Sequence, residues 1–227
     1  MPDHAPTTRA DWAHHRLKAA ILTGELQPGS KLVADDLAQR WAVSPTPLRE
    51  AFQRLGGSGL VELTSQRGAR VAPFSLEEAA DLYELRLLLE PTALRASLEH
   101  SDDGHRSQVL AAHERLEAAL RARPVDPVEA AEAHLAFHTT LLARCPSAWM
   151  RRMTALLAEH SQRYQLLGAQ HYRRGSDPQD EHAMLRDAVV RGQIDRAVRG
   201  LTRHLEGTRR AVRATMDAEA EPKPRRK

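Results

Sequence analysis

The chain has 227 residues, and Lys plus Arg outnumber Asp plus Glu by only 33 to 30, so bulk charge does not mark a nucleic-acid binder and any such role must rest on a local cluster. The length suffices for one large or two modest domains; no apolar run nears the roughly 18 residues of a membrane span, and residues 1–8 lack the basic flank and apolar core of a secretory signal, which makes the cytoplasm the expected location. A single cysteine, Cys145, excludes an internal disulfide and fits a reducing compartment, as a buried inert thiol or as a reactive one.

Abundant Ala, Leu, Arg and Glu with few aromatics predict a mainly α fold. Thr7 or Thr8 opens a first helix through Leu22, with Ala13, Leu17, Ala20 and Ile21 inward. Gly24 ends it, and Pro28-Gly29 turns the chain. Residues 34–41 read as a short helix with Leu37, Ala38 and Trp41 inward, and only Ala42 and Val43 separate it from Ser44. Ser44 is a candidate N-cap, and Pro45 at the first helical position loses only an N–H that has no partner there. From that start Leu48, Ala51, Phe52 and Leu55 fall at i, i+3, i+4 and i+7 and face a core, leaving Thr46, Arg49, Glu50 and Gln53 on the opposite side. This is helix-turn-helix spacing. Residues 60–63 and 69–72 form two short runs joined by residues 64–68, where Gly68 supplies the positive φ of a tight hairpin; the product is a two-stranded wing carrying Arg67 and Arg70. Residues 40–70 hold five Arg against two Glu, the local cluster that bulk charge lacks.

In order along residues 16–73, Gly24-Glu25-Leu26-Gln27-Pro28-Gly29, Leu37-Ala38, Val43-Ser44, Thr46-Pro47-Leu48-Arg49-Glu50-Ala51, Gly59-Leu60-Val61 and Arg67-Gly68-Ala69 resemble the winged-helix DNA-binding domain of the GntR superfamily of bacterial transcription regulators. The resemblance implies that the turn and the first part of the recognition helix meet the major groove and that the wing tip meets the minor groove or backbone. By motif position it points to Ser44, Thr46, Arg49, Arg67 and Gly68. Where the family commonly has Arg this chain has Pro45, which makes no bidentate guanine contact.

Pro73-Phe74 closes the wing, and Ser75-Leu76-Glu77-Glu78 is a capping box that begins a second domain. Six helices follow over about 76–99, 104–122, 127–144, 147–170, 178–191 and 194–214, with Asp126-Pro127 and Asp177-Pro178 as starts and Gly192 as a stop. They predict an antiparallel bundle of six to seven helices. The expected domains are residues 1–74, 75–215 and a basic disordered tail, 216–227.

Four of the twelve histidines form a pattern. His134 and His138 are four apart and share a helix face, while His182 and His204 sit on two later helices. If these helices converge, three or four nitrogen donors surround one point; otherwise each is a surface or satisfied core histidine. Arg86 lies among Leu82, Leu85, Leu87, Leu88 and Leu89, either paired with Glu90 at i+4 or presenting its planar fork to a carboxylate, with Arg163 and Tyr164 as further candidates for the same cavity.

Tyr83-Glu84-Leu85-Arg86 through Glu90, Phe137-His138, Glu181-His182 and Arg203-His204-Leu205 resemble, over residues 76–214, the FCD ligand-binding domain of the FadR-like branch of the same superfamily. The resemblance implies a divalent metal, held by an Asp and three histidines, that often anchors a small carboxylate effector. The histidines map onto His138, His182 and His204, and the Asp position is His134. An all-imidazole set suits Zn²⁺ or Ni²⁺ better than oxygen-preferring ions. The family's Gly-Asn after that helix is replaced by Cys145-Pro146-Ser147. The expectation is a ligand-responsive DNA-binding regulator and not an enzyme, most often a repressor, binding a palindromic operator as a homodimer under control of a small organic acid at the metal, with Arg86 as effector ligand. Two alternatives are a regulator for which the metal itself is the signal and a helical metallohydrolase using metal-bound water, toward which Glu132 and Glu181, though near in sequence, are not evidently aimed.

Overall fold

The computed structural model describes residues 8–64, 68–169 and 178–220. Two compact units divide the chain, one up to Phe74 and one from Ser75 onward apart from residues 126–128.

In the first unit, α1 (Arg9–Leu22) is capped by the Thr8 hydroxyl, which accepts from the Asp11 N–H at 3.1 Å. α2 (Ala34–Trp41) stops at Ala42, whose φ of 54° lies in the left-handed region. α3 (Pro45–Gly57) follows after Val43 and Ser44, with Leu48, Ala51, Phe52 and Leu55 buried as the periodicity requires. They pack with Ala13, Leu17, Leu37 and Ala38 into one core. Ser44 stands at the N-cap with extended backbone but, against expectation, its hydroxyl makes no capping bond. Of the two residues whose N–H such a cap accepts, the third helical residue, Pro47, has none, which leaves only Thr46. The wing has a third strand: β1 (Lys31–Leu32), β2 (Val61–Thr64) and β3 (Gly68–Val71) form an antiparallel sheet in the order β1-β3-β2, with Leu32 opposite Ala69 and Val61 opposite Val71. Two residues are too few to show alternation, so β1 carries no sequence signature; it is held at its start by Gly29 N–H to Val71 O and Val71 N–H to Ser30 O, both 2.9 Å.

The second unit is built from α4 (Leu76–Glu99), α5 (Asp103–Arg121), α6 (Pro127–Leu141), α7 (Ala148–Ala169), α8 (Pro178–Val190) and α9 (Ile194–Ala220). Leu94, Val109, Leu116, Phe137, Leu141, Leu185, Val189, Leu201 and Leu205 form its core. α4 and α7 run antiparallel: near the start of α4 the Glu78 carboxylate is held by Arg163 and by the Tyr164 hydroxyl at 3.1 Å, and farther along Arg86 reaches Ser161. Ser75 caps α4, its Oγ accepting from the Glu78 N–H at 3.2 Å, and its own N–H donates to the Tyr164 hydroxyl at 3.4 Å. α6 ends at Leu141 rather than 144 because the chain tightens into three-residue turns, Leu142 N–H to Thr139 O and Cys145 N–H to Leu142 O. Cys145 is buried. α9 continues to Ala220, so residues 216–220 are helical and not tail; Val212 and Met216 continue its apolar stripe at i, i+4 and both are buried. Residues 221–227, the remainder of the expected tail, lie outside the described residues. No described helix is long and apolar enough to cross a membrane.

Candidate functional site

On the first unit Ser44, Thr46, Arg49, Glu50, Gln53 and Arg54 are among the exposed side chains of α3 and its approach, left over once the stripe is buried. Most of the local arginine charge is spent inside the unit. Arg40 pairs with Glu25 at 2.8 Å, Arg54 with Asp11 at 3.0 Å, and Arg70 donates to the Gly29 carbonyl at 3.1 Å. Glu25 also takes two bonds from Arg16, which holds its carboxyl below the usual range, while the Arg16 guanidinium lies 4.5 Å from the centre of the Trp41 ring. Arg49 is different: its Nη2 lies 3.5 Å from both oxygens of Asp35, and both side chains are exposed. An exposed pair contributes about 0–1 kcal/mol, so little opposes turning this guanidinium toward another anion. Gly68 opens β3 at φ 91°, the hairpin conformation for which it was singled out, and Arg67 lies outside the described residues.

On the second unit α6, α8 and α9 bring His134, His138, His182 and His204 together, one potential ligand atom from each lying within 4.8 Å of the others. Two come from successive turns of α6, where i and i+4 share a face; His182 lies on α8 and His204 within α9, between Leu201 and Leu205 of the core. His138, His182 and His204 are buried and His134 half-buried. The Nε2 atoms of His138 and His182 face each other at 3.3 Å, and fully buried Phe137 packs edge-on against both rings. Burial first, then the neighbouring His204 and Arg86, lowers His134 from 6.5 to about 3, and burial with the other three histidines and Arg86 holds His138 well below 6.5. Both therefore present lone pairs at neutral pH, the form a metal requires. His138 Nδ1 is buried without a hydrogen-bond partner among the described residues. Four imidazole nitrogens and no carboxylate within the cluster fit a nitrogen-preferring divalent ion. Two other buried histidines have ordinary partners: His105 contacts Ser101 Oγ and the Thr140 carbonyl, and His113 contacts Arg186 and Phe137.

Arg86 takes the i+4 pairing, with Nε 2.5 Å from Glu90 Oε1 and Nη2 3.3 Å from Oε2, while Nη1 donates to Ser161 Oγ at 2.8 Å. Burial alone disfavours its charge, but Glu90 outweighs it and the guanidinium pKa rises. It stands near enough to the histidines to depress two of them. Arg163 and Tyr164 engage Glu78 and Ser75 at the start of α4. In the sequence Glu181 has no partner beyond its place before His182; its Oε2 lies 2.9 Å from His204 Nδ1.

Residues 10–71 match the family model for bacterial regulatory proteins of the gntR family, and residues 81–207 match that of the FCD domain. An HTH-type transcriptional regulator, BphR of Paraburkholderia xenovorans strain LB400, is 35% identical over 202 residues, covering 87% of this chain and 82% of that one. The HTH-type transcriptional repressor GlaR of Escherichia coli K12 is 31% identical over 204 residues, covering 83% and 89%. The crystal structure of a GntR-family regulator from Pseudomonas syringae pv. tomato aligns with a TM-score of 0.55 at 27% identity, over 93% of this chain and 87% of that one. A putative GntR regulator from Rhodococcus sp. RHA1 shares the fold at a TM-score of 0.68 and 22% identity, over 92% and 99%. Families and relatives are transcription regulators, not enzymes, which removes the metallohydrolase alternative.

Proposed function

The chain belongs to the GntR family of DNA-binding transcription regulators, with an FCD domain after the winged helix, and from that premise we propose that it is a homodimeric repressor of a palindromic operator, controlled by a small organic acid bound at a divalent metal in the helical unit. The observation that carries the proposal is the convergence of four imidazoles from three helices within 4.8 Å. His134, His138, His182 and His204 would hold the ion, Zn²⁺ or Ni²⁺ by their chemistry. When bound, it supplies a cation that attracts a carboxylate oxygen. Arg86 on α4, buried and paired with Glu90, would offer its guanidinium to an effector carboxylate in competition with Glu90. On DNA, Ser44, Thr46 and Arg49 read the major groove and Arg67 with Gly68 meets the minor groove or backbone, while Pro45 removes one guanine contact and changes the half-site. Two recognition helices read half-sites one helical turn, about 34–36 Å, apart. α4 begins at Leu76, capped by Ser75 at the start of the second unit, and carries Arg86 and Glu90. Coupling between effector and operator binding amounts to roughly 1–3 kcal/mol, or about 5–150-fold in operator affinity.

One observation favours a second reading. Four protein nitrogens would fill the four positions of a closed zinc site and leave none for an effector, as expected where the metal itself is the signal. Protein purified without chelator, with His134→Ala and His138→Ala, is assayed for bound metal and for operator binding by anisotropy, with metal alone and with metal plus small carboxylates. About one metal per subunit, lost in the variants, supports both readings; a response to carboxylates supports the first, and a switch by metal alone the second. Protein that takes up neither Zn²⁺ nor Ni²⁺ refutes both.

A further inference from the structure

We infer that Glu181 is a positioning residue of the histidine site: its carboxylate holds His204 in the tautomer and orientation that leave Nε2 as the metal ligand. The inference rests on the metal reading above and assigns to a non-ligand the control of affinity.

Glu181 and His182 are consecutive on α8, so their side chains diverge by about 100° around the helix. The helix is placed so that both directions are used. His182 faces His138 of α6 across 3.3 Å, and Glu181 meets His204 of α9 at 2.9 Å. Glu181 is 8% exposed and His204 5%, so the contact lies away from bulk water, where a carboxylate must be hydrogen-bonded. An ionised carboxylate only accepts; the proton between them therefore sits on His204 Nδ1. A neutral ring with its proton on Nδ1 has its lone pair on Nε2, and the carboxylate raises the basicity of that lone pair. His138 offers the contrast within the cluster, since its buried Nδ1 has no hydrogen-bond partner among the described residues and its ring is set by packing against Phe137. Of these two rings, His204 is the one fixed by a charge.

The test is Zn²⁺ affinity of the full chain, by competition with a chromogenic chelator, together with the visible absorption of the Co²⁺-loaded protein. Glu181→Gln keeps the size and an acceptor oxygen but removes the charge; binding about 10–100-fold weaker, with shifted Co²⁺ bands and an unchanged melting temperature of the metal-free protein, supports the inference. Glu181→Asp, which keeps the charge at shorter reach, falls between wild type and Gln, and provides the comparison if Gln impairs folding. Glu99→Gln, an exposed acid at the end of α4, leaves affinity unchanged. Wild type that binds metal while the Gln and Asp variants stay within twofold of it, with the same Co²⁺ spectrum, overturns the assignment of Glu181 alone. Wild type that binds no metal overturns the metal reading and this inference with it.

Discussion

Replacing Arg86 alone by Met is expected to cost the helical unit about 3–5 kcal/mol, because it strands a buried carboxylate. Arg86 and Glu90 are each 1% exposed, and the guanidinium spends its donors on Glu90 at 2.5 and 3.3 Å and on Ser161 at 2.8 Å. Met retains much of the aliphatic stem, so the loss is that of the charge partner more than of packing. A chain of this size melts about 2–4 °C lower per kcal/mol, which places the midpoint roughly 6–20 °C below wild type. Calorimetry on the full chain reads it, with the transitions of the two units resolved, since two-state behaviour does not extend across both. The double variant Arg86→Met/Glu90→Leu removes both charges and should recover most of the loss, because apolar replacement of a buried pair is near neutral. A single variant within about 1 kcal/mol of wild type, or a double variant no more stable than the single, would refute the argument that Glu90 needs Arg86. The stable double variant then isolates the second role: a carboxylate effector that uses the guanidinium fork binds it more weakly although the fold is intact.

Arg49→Ala should abolish specific operator binding in anisotropy assays while changing stability by less than about 1 kcal/mol, since its contact with Asp35 is long and exposed; unchanged operator affinity would remove it from the recognition surface. Metal-free protein should lose stability as pH falls from about 6.5 toward 3. His134 is depressed from 6.5 to about 3 in the folded state, so across that window the unfolded chain binds a proton that the folded chain refuses, and unfolding is favoured as pH drops. Urea melts at stepped pH measure this slope, and His134→Gln should flatten it. Ala42→Gly should stabilise the first unit by about 0.5–1 kcal/mol, because a φ of 54° strains any residue with a Cβ; a destabilised variant in denaturant titration contradicts the strain argument. Phe137→Ala should cost about 3–5 kcal/mol in the same titration and also weaken Zn²⁺ binding, since the fully buried ring packs against His138 and His182.

The winged helix was legible because its signals are local. The stripe Leu48, Ala51, Phe52 and Leu55 needs only a helical period to be assigned inward, and all four are buried. What escaped there was either too short to have a period, as with Lys31–Leu32, or depended on two residue identities at once, as with the Ser44 hydroxyl, for which Pro47 removes one of the two N–H groups a cap can use. Capping and composition also stopped the last helix too early, because neither registers that Met216 has a buried place to go.

At the histidine site the boundary of legibility lies elsewhere. Period places His134 above His138 and pairs Arg86 with Glu90, both contacts within one helix. It says nothing about which helices stand side by side, so the meeting of α6, α8 and α9 came from family resemblance and not from spacing. It is silent for the same reason on Glu181, which has no visible object until α9 is placed beside α8 and His204 comes within 2.9 Å. Arg163 and Tyr164 show the complementary error. Ser161 is the α7 residue that meets Arg86, and the next turn of the antiparallel pair has already moved toward the start of α4, where Glu78 and Ser75 wait. Direction around a helix is written in its own sequence, but the level at which a side chain meets its neighbour is set by packing between helices, and both decide what a long polar side chain touches.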